Sequence, residues 1–316
     1  MASGMTAPTT ALEPICDVAA IVGVGLIGGS LAAALRSRRL AREVVGVGRS
    51  AGRLNLARDL GQIDRASTSL AEAAHAADLI VFCTPVDRIV EGVREAAVVS
   101  RPGTVITDAG SVKKWICEEL SGTLAPHVHF VGSHPMAGSE RQGCQYADPE
   151  LFHGRRCVIT PLPQTNRSAV ERISRMWRSV GGDVVQLSPD EHDALVARAS
   201  HVPHVVAAAL AATLPPRAYP LASTGFRDST RIAGGDPELW TQILRQNRDE
   251  VELGLQDVIE GLQKFQQALS AEDQGRLFEL LRDGVLARER WLRVFQEGGS
   301  SREKPRNPED SNAVGN

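Results

Sequence analysis

One imidazole stands among small residues in the stretch Gly132-Ser133-His134-Pro135-Met136-Ala137-Gly138-Ser139-Glu140, directly after the short apolar run 128–131. With a reference pKa near ~6.5, a histidine can take a proton at neutral pH. The end of a parallel strand is also where open α/β sheets bind ligands. Small neighbours leave that space open. Read alone, His134 is equally a loop histidine with no chemical task. Upstream, Ile106-Thr107-Asp108-Ala109-Gly110-Ser111-Val112-Lys113 puts a hydroxyl, Ser111, after another apolar run. That hydroxyl either reaches the same crevice or caps the helix that follows. The five cysteines show no CxxC spacing, and there is no HExxH and no acidic cluster, so a metal centre has no support.

A second chemistry lies in Ala20-Ile21-Val22-Gly23-Val24-Gly25-Leu26-Ile27-Gly28-Gly29-Ser30. The pattern G-x-G-x-x-G is weak alone, but here it closes an apolar run and opens a helical one, as dinucleotide binding requires. Gly23 permits the tight turn, Gly25 lets a pyrophosphate approach, and Gly28 lets the helix pack on the strand. The N–H groups from Leu26 and Ile27 onward face the phosphates. The next apolar run ends at Gly48 and Arg49, where an NAD site usually carries Asp or Glu for the ribose 2′-OH. A guanidinium there would pair with a 2′-phosphate. The expectation is NADP, with NAD possible if Arg49 and Arg53 are only solvated.

These groups need a frame. Short β-branched runs at 19–24, 43–47, 79–83, 104–107 and 128–131 alternate with Ala/Leu/Arg-rich helical patterns. Such alternation predicts parallel βαβ units. Two further strands are expected near 156–160 and 183–186, flanking a helix at 167–180. After Ser188-Pro189 the periodicity is helical throughout, with long helices at 247–269 and 271–295. The expected architecture is an α/β Rossmann-type nucleotide-binding domain (17–188) followed by an all-α domain (189–296). A flexible N-terminus (1–16) and a disordered tail (297–316) flank them. A net charge of −3 and 4% aromatic residues speak against a nucleic-acid or anionic-membrane partner. No apolar run approaches the ~20 residues of a membrane helix, and scattered thiols fit a reducing cytoplasm.

The glycine loop, the Asp108–Lys113 run and SHPMAGSE occur in an order and spacing that resemble the prephenate/arogenate dehydrogenase family of tyrosine biosynthesis. Ser200-His201-Val202-Pro203-His204 is similar to its SHxPH element. Gly225-Phe226-Arg227-Asp228-Ser229-Thr230-Arg231-Ile232-Ala233 and Asp236-Pro237-Glu238-Leu239-Trp240 are similar to its GFxDxTRIA…DPxxW element. The resemblance implies oxidative decarboxylation of a cyclohexadiene by hydride transfer to NAD(P). It implies His134 as acceptor of the hydroxyl proton and Ser111 as a hydrogen-bond partner of that hydroxyl or of His134. Arg231 is the candidate for the ring carboxylate, or else pairs with Asp228 or Asp236. Asp228 orients its neighbours. His204 lies in the substrate pocket or is a satisfied core histidine, and Trp240 walls the pocket or packs the core. Glu140 is linked in the family to gating, or is an exposed loop carboxylate. Thr84 and Pro85 approach the nicotinamide side of the cofactor. His201 reads as structural, and His75, His127, His129, His153 and His192 as surface or helix residues without a task.

The long C-terminal helices resemble the family's dimerisation domain, which implies a homodimer. No βαββαβ-like segment follows Phe295, so a single-function form without a regulatory C-terminal domain is expected. Any inhibition by tyrosine should then be competitive. The substrate is prephenate, with arogenate or 4-amino-4-deoxyprephenate as alternatives. Dehydrogenases of the 6-phosphogluconate type use a lysine base in the following helix, and 191–214 contains no lysine. A non-catalytic NADP(H) sensor would have no need of His134, Ser111 and Arg231 together.

Overall fold

The computed structural model describes residues 13–139 and 141–297. The first half alternates strand and helix: β1 (Cys16–Val22), α1 (Leu26–Ser37), β2 (Ala41–Val47), α2 (Ala51–Asp59), β3 (Arg65–Ser67), α3 (Leu70–Ala76), β4 (Leu79–Phe82), α4 (Ile89–Val99), β5 (Val105–Asp108), α5 (Lys114–Leu120) and β6 (His129–Pro135). Then follow β7 (Arg156–Thr160), α6 (Arg167–Ser179) and β8 (Asp183–Gln186). The strands form one sheet in the order β3-β2-β1-β4-β5-β6-β7-β8.

The strands are continuous apolar runs because both faces are covered. Ala19 and Ile21 point into one core with Leu31 and Leu35 of α1 and Ile173 and Trp177 of α6. Ala20 and Val22 point into the other, with Ala73 of α3, Ile89 and Val93 of α4 and Ile116 of α5. The strand order reverses between β1 and β4, so the loops after these two strands flank the crevice where such sheets bind ligands.

Parallel pairing holds from β3 to β6, but β7 runs antiparallel to β6 and β8 follows β7. The two further strands expected near 156–160 and 183–186 are thus a parallel pair joined to the sheet through an antiparallel one. The β6–β7 connection, residues 136–155, carries only the 3₁₀ turn Cys144–Tyr146 and lacks the α-helix that usually makes a parallel crossover. The three-residue β3 escaped the sequence reading because its pattern is too short to register. At the other end, β1 starts at Cys16, and Ile15 is buried, its N–H donating to the Leu40 carbonyl at 2.6 Å. Residues 15 and 16 therefore belong to the sheet, not to a flexible leader. The remainder of that leader up to residue 12, and the tail from 298, lie outside the described residues.

The second half is helical: α7 (Pro189–Val196), a π turn (Ala197–His201), α8 (Val202–Thr213), α9 (Thr224–Thr230), α10 (Pro237–Gln246), α11 (Arg248–Ser270) and α12 (Gln274–Glu297). The widened turn precedes Pro203, which has no N–H to continue the regular ladder. The run Pro189–Thr213, 25 residues, is long and apolar enough to cross a membrane by length and composition, a feature that escaped the search for uninterrupted apolar runs. Its buried side carries His192, Asp193, His201 and His204, and the first three are hydrogen-bonded in the protein interior. That is the chemistry of a core helix.

By compactness the chain divides into two units, one up to Val251 and one from Glu252. The first extends past 189 because α7 is bound to the sheet domain. The Asp193 carboxylate accepts the N–H groups of Lys113 (2.8 Å) and Lys114 (3.0 Å), and Lys114 pairs with Asp190 at 2.7 Å. The second unit comprises the rest of α11 and α12. It leaves Ile259 and Leu262 of α11 and Phe278 and Leu281 of α12 exposed.

Candidate active site

The loop after β1 has the geometry its glycines predict. Gly23 has φ +93°, and a Cβ there would stand 2.7 Å from the Cys83 carbonyl oxygen. A Cβ on Gly28 would lie 2.1 Å from the Gly23 oxygen, so only glycine lets α1 approach. Gly25, the N-cap of α1, faces open space, with nothing within 4 Å of its Cβ position. No side chain caps this helix and its first turn carries no acid, so the N–H groups at Leu26 and Ile27 are directed at an anion site. Across the crevice, the Thr84 Oγ1 is buried without a partner at the end of β4. An open backbone cradle, a bare helix N-terminus and an orphaned hydroxyl together fit a dinucleotide. Pro85 is exposed beside Thr84, and Arg49 is exposed at the end of β2.

His134 lies near the end of β6 and is 7% exposed. Its neighbours are locked. Ser133 Oγ donates to the Asp108 carbonyl and accepts from Trp177 Nε1 at 3.0 Å. Ser133 N–H donates to Asp108 Oδ1 at 3.0 Å. Lys113, fully buried, extends its ammonium to the Asp108 carboxylate and to the Ser133 carbonyl at 2.9 Å. A buried ion pair therefore grips the backbone next to the histidine.

The ring itself meets a group the sequence reading passed over. His134 Nδ1 lies 2.9 Å from His192 Nε2, and His192 Nδ1 lies 2.7 Å from Asp193 Oδ1. His192, taken from sequence as a surface or helix residue without a task, is 0% exposed. The one sequence signal was its place one turn into α7, on the side that proves to be buried; the partner lies 58 positions away. His201 joins the cluster through Asn247, whose Nδ2 lies 3.1 Å from His201 Nδ1 and donates to the Asp193 carbonyl at 2.9 Å.

Burial, then the His192, Lys113 and His201 charges, holds the His134 pKa well below 6.5. Burial also lowers His192 and His204, and takes His201 down to about 4. At neutral pH His134 is therefore an unprotonated acceptor. The same shifts predict a stability profile. The unfolded chain binds these protons near pH 6.5 and the folded chain only at lower pH, so the contribution is complete above 6.5 and lost as pH falls. For His201 the loss runs from 6.5 to about 4. Each such group steepens the fall by up to ~1.4 kcal/mol per pH unit. Urea midpoints at pH 7, 6 and 5 should decline in that order; a flat profile would contradict the buried neutral cluster.

The other predicted residues are only partly assembled. Ser111 is half-buried in the segment between β5 and α5 and does not cap: α5 begins at Lys114, its N-cap is Lys113, and Asp193 supplies the acceptor. His204 is buried and stacks on Trp240 at 3.5 Å between ring centroids, and its Nδ1 has no partner. Gly235 packs on that stack, since a Cβ there would be 2.4 Å from Trp240 Nε1. Arg231 is exposed at the start of a 3₁₀ turn. Neither carboxylate offered for it from the sequence shows that pairing: Asp228 pairs with Arg227 at 3.0 Å, and Asp236 accepts from Gln142 at 2.9 Å while capping α10. Glu140 lies outside the described residues. Among the described residues no His/Cys/Asp/Glu group could hold a metal.

Comparison with known proteins agrees with this geometry. Residues 31–186 match the prephenate dehydrogenase nucleotide-binding domain, and 188–283 match the prephenate dehydrogenase dimerisation domain. A prephenate dehydrogenase of Bacillus subtilis (strain 168) is 32% identical over 287 residues, 87% of this chain and 77% of that protein. The crystal structure of prephenate dehydrogenase from A. aeolicus with hydroxyphenyl propionate and NAD+ is similar with TM-score 0.81 and 32% identity, covering 87% of this chain and 98% of that one. Synechocystis arogenate dehydrogenase is similar with TM-score 0.73 and 31% identity, covering 87% and 99%. A Rossmann-type crevice, a locked histidine at the end of β6 and these matches along both halves make the chain a member of the prephenate dehydrogenase family of NAD-dependent oxidoreductases.

Proposed function

We propose that the chain converts prephenate to 4-hydroxyphenylpyruvate by NADP-dependent oxidative decarboxylation in tyrosine biosynthesis. The observation that carries this is His134: neutral, buried and fixed by its neighbours at the ligand-binding edge of the sheet. It takes the proton of the ring hydroxyl. Ser111 holds that hydroxyl by a hydrogen bond. Arg231 offers a planar fork to the ring carboxylate, with Asp228 orienting the segment through Arg227, and Glu140 serves in gating. The His204–Trp240 stack forms an apolar wall with one free ring nitrogen for the substrate side chain.

Gly23, Gly25, Leu26, Ile27 and Gly28 hold the pyrophosphate, and Thr84 and Pro85 approach the nicotinamide end. When bound, the nicotinamide would supply the hydride acceptor for an oxidation in which loss of CO2 leaves an aromatic ring. Arg49 pairs with the 2′-phosphate, which favours NADP over NAD. Arg49→Ala should lower kcat/KM for NADP by ~10–100-fold, the worth of one charge-assisted hydrogen bond, and leave that for NAD within a few-fold. Equal losses with both cofactors would count against the assignment. The exposed apolar residues of α11 and α12 support a homodimer, and five free cysteines support a reducing cytoplasm.

The test is steady-state NAD(P)H formation with prephenate and with arogenate, each with NADP and NAD. Turnover of prephenate with NADP at the highest kcat/KM is expected. A preference for arogenate, or for NAD, would replace the corresponding half of the proposal, and tight NADP binding without turnover of either compound would favour a sensor.

A further inference from the structure

The file of His134, His192 and Asp193 has a direction that can be read from its far end. Asp193 accepts N–H groups from Lys113 at 2.8 Å and Lys114 at 3.0 Å, so its carboxylate is an acceptor. The nearest His192 nitrogen, Nδ1 at 2.7 Å, must then carry its proton. His192 is neutral, so its Nε2 holds a lone pair. The His134 Nδ1 at 2.9 Å must donate to it. A neutral imidazole carries one ring proton, and this assignment places it on Nδ1. Nε2 of His134 is left as the basic atom.

We propose that His192 and Asp193 are positioning residues that select the reactive tautomer of His134, a role that rests on the reading of His134 as the proton acceptor. Without them the proton of a neutral imidazole can sit on either nitrogen, and the Nε2–H form cannot take the substrate proton. Once Nε2 is protonated, the positive ring keeps donating from Nδ1 to His192, whose own N–H is held by the Asp193 carboxylate. The hydrogen bonds that fix the tautomer therefore strengthen as charge develops on the ring. The remaining groups around the file are Lys113 and Asp108 from the segment at β5 and α5, and His201 of the π turn. Lys113 disfavours the charged form, which makes the acceptor file the counterweight. Asp193 has a second task, since it also supplies the acceptor at the start of α5. His192 is therefore the cleaner residue to test.

His192→Phe keeps a flat ring, somewhat larger than the imidazole, and removes the acceptor. His192→Gln restores it, because a carboxamide can accept from His134 and donate to Asp193. Outer-shell partners that orient a metal-ligating histidine are worth ~10–100-fold, and an effect of that size is expected for His192. The phenylalanine variant should lose that much in kcat, with KM and NADPH affinity within about threefold of wild type. The glutamine variant should recover most of the loss. A purely structural role would not separate the two variants in kcat at equal stability. Wild-type kcat in His192→Phe would overturn the proposal, provided His134→Asn, run alongside, is inactive; an active His134→Asn would instead show that the acceptor assignment fails. Should His192→Phe not fold, side-chain ¹⁵N NMR of the wild type decides. Neutral His134 protonated at Nδ1 supports the file, and protonation at Nε2 refutes it.

Discussion

Replacing His134 with asparagine should lower kcat by about 10³-fold, inside the ~10²–10⁴ that a positioned general base contributes. Asparagine is the informative choice. Its carboxamide can still donate to His192 Nε2, which His134 Nδ1 faces at 2.9 Å. The flanking bonds of Ser133 to Asp108, Trp177 and Lys113 involve no atom of the imidazole, so the end of β6 should stay in place. What is lost is the opposite ring nitrogen, the atom proposed to take the hydroxyl proton. KM for prephenate should therefore move only a few-fold, since the carboxylate contacts assigned to Arg231 remain. Progress curves of NADPH formation at saturating substrate give kcat directly, and fluorescence titration with NADPH shows whether the nucleotide crevice is intact. A variant within tenfold of wild type in kcat would remove His134 from the chemistry. The depressed pKa of His134 adds a second expectation: kcat should hold to well below pH 6.5 before protonation removes the acceptor.

Lys113→Met should destabilise the first compact unit by ~3–5 kcal/mol, the usual consequence of leaving a buried charge without its partner. Lys113 and Asp108 are both 0% exposed. Methionine fits the space but cannot donate. The Asp108 carboxylate would keep the N–H groups of Ser133 at 3.0 Å and Gly110 at 2.9 Å and lose its counter-ion, and the Ser133 carbonyl would lose its 2.9 Å donor. Urea unfolding, read from the fluorescence of buried Trp177, measures the change. The indole donates to Ser133 Oγ and so reports on the same locus. The double variant Asp108→Asn/Lys113→Met should lose less than Lys113→Met alone, because the carboxamide removes the orphaned charge. A single variant as stable as wild type would mean that water reaches Asp108.

What could be read in the sequence was local. The glycine loop is legible because the positive φ of Gly23 and the close approach of Gly28 to the Gly23 oxygen arise within one strand–turn–helix unit, although Gly23 also packs against the Cys83 carbonyl beyond β4. Apart from the short β3, the strands were visible as apolar runs, since burial on both faces of the inner strands favours apolar residues. The histidine stretch, with its small neighbours, marked the end of β6. Other features depended on distance along the chain. The reversal of β7 is a matter of how residues 136–155 travel, and no periodicity records that. The attachment of α7 to the start of α5 is of this kind, because Asp193 accepts N–H groups from residues 79 and 80 positions away. Nothing in the residues next to Lys113 marks it as fully buried, which it is.

By itself, then, the sequence determined the elements, the nucleotide loop and the candidate proton acceptor, because sterics, capping and apolar periodicity act between residues a few positions apart. Only the tertiary structure decided that His192 and Asp193 stand behind His134 and that Lys113 and Asp108 neutralise each other beside it. Such polar contacts persist in the interior only where donor and acceptor from distant segments arrive together, and that meeting is a property of packing rather than of any one stretch of chain.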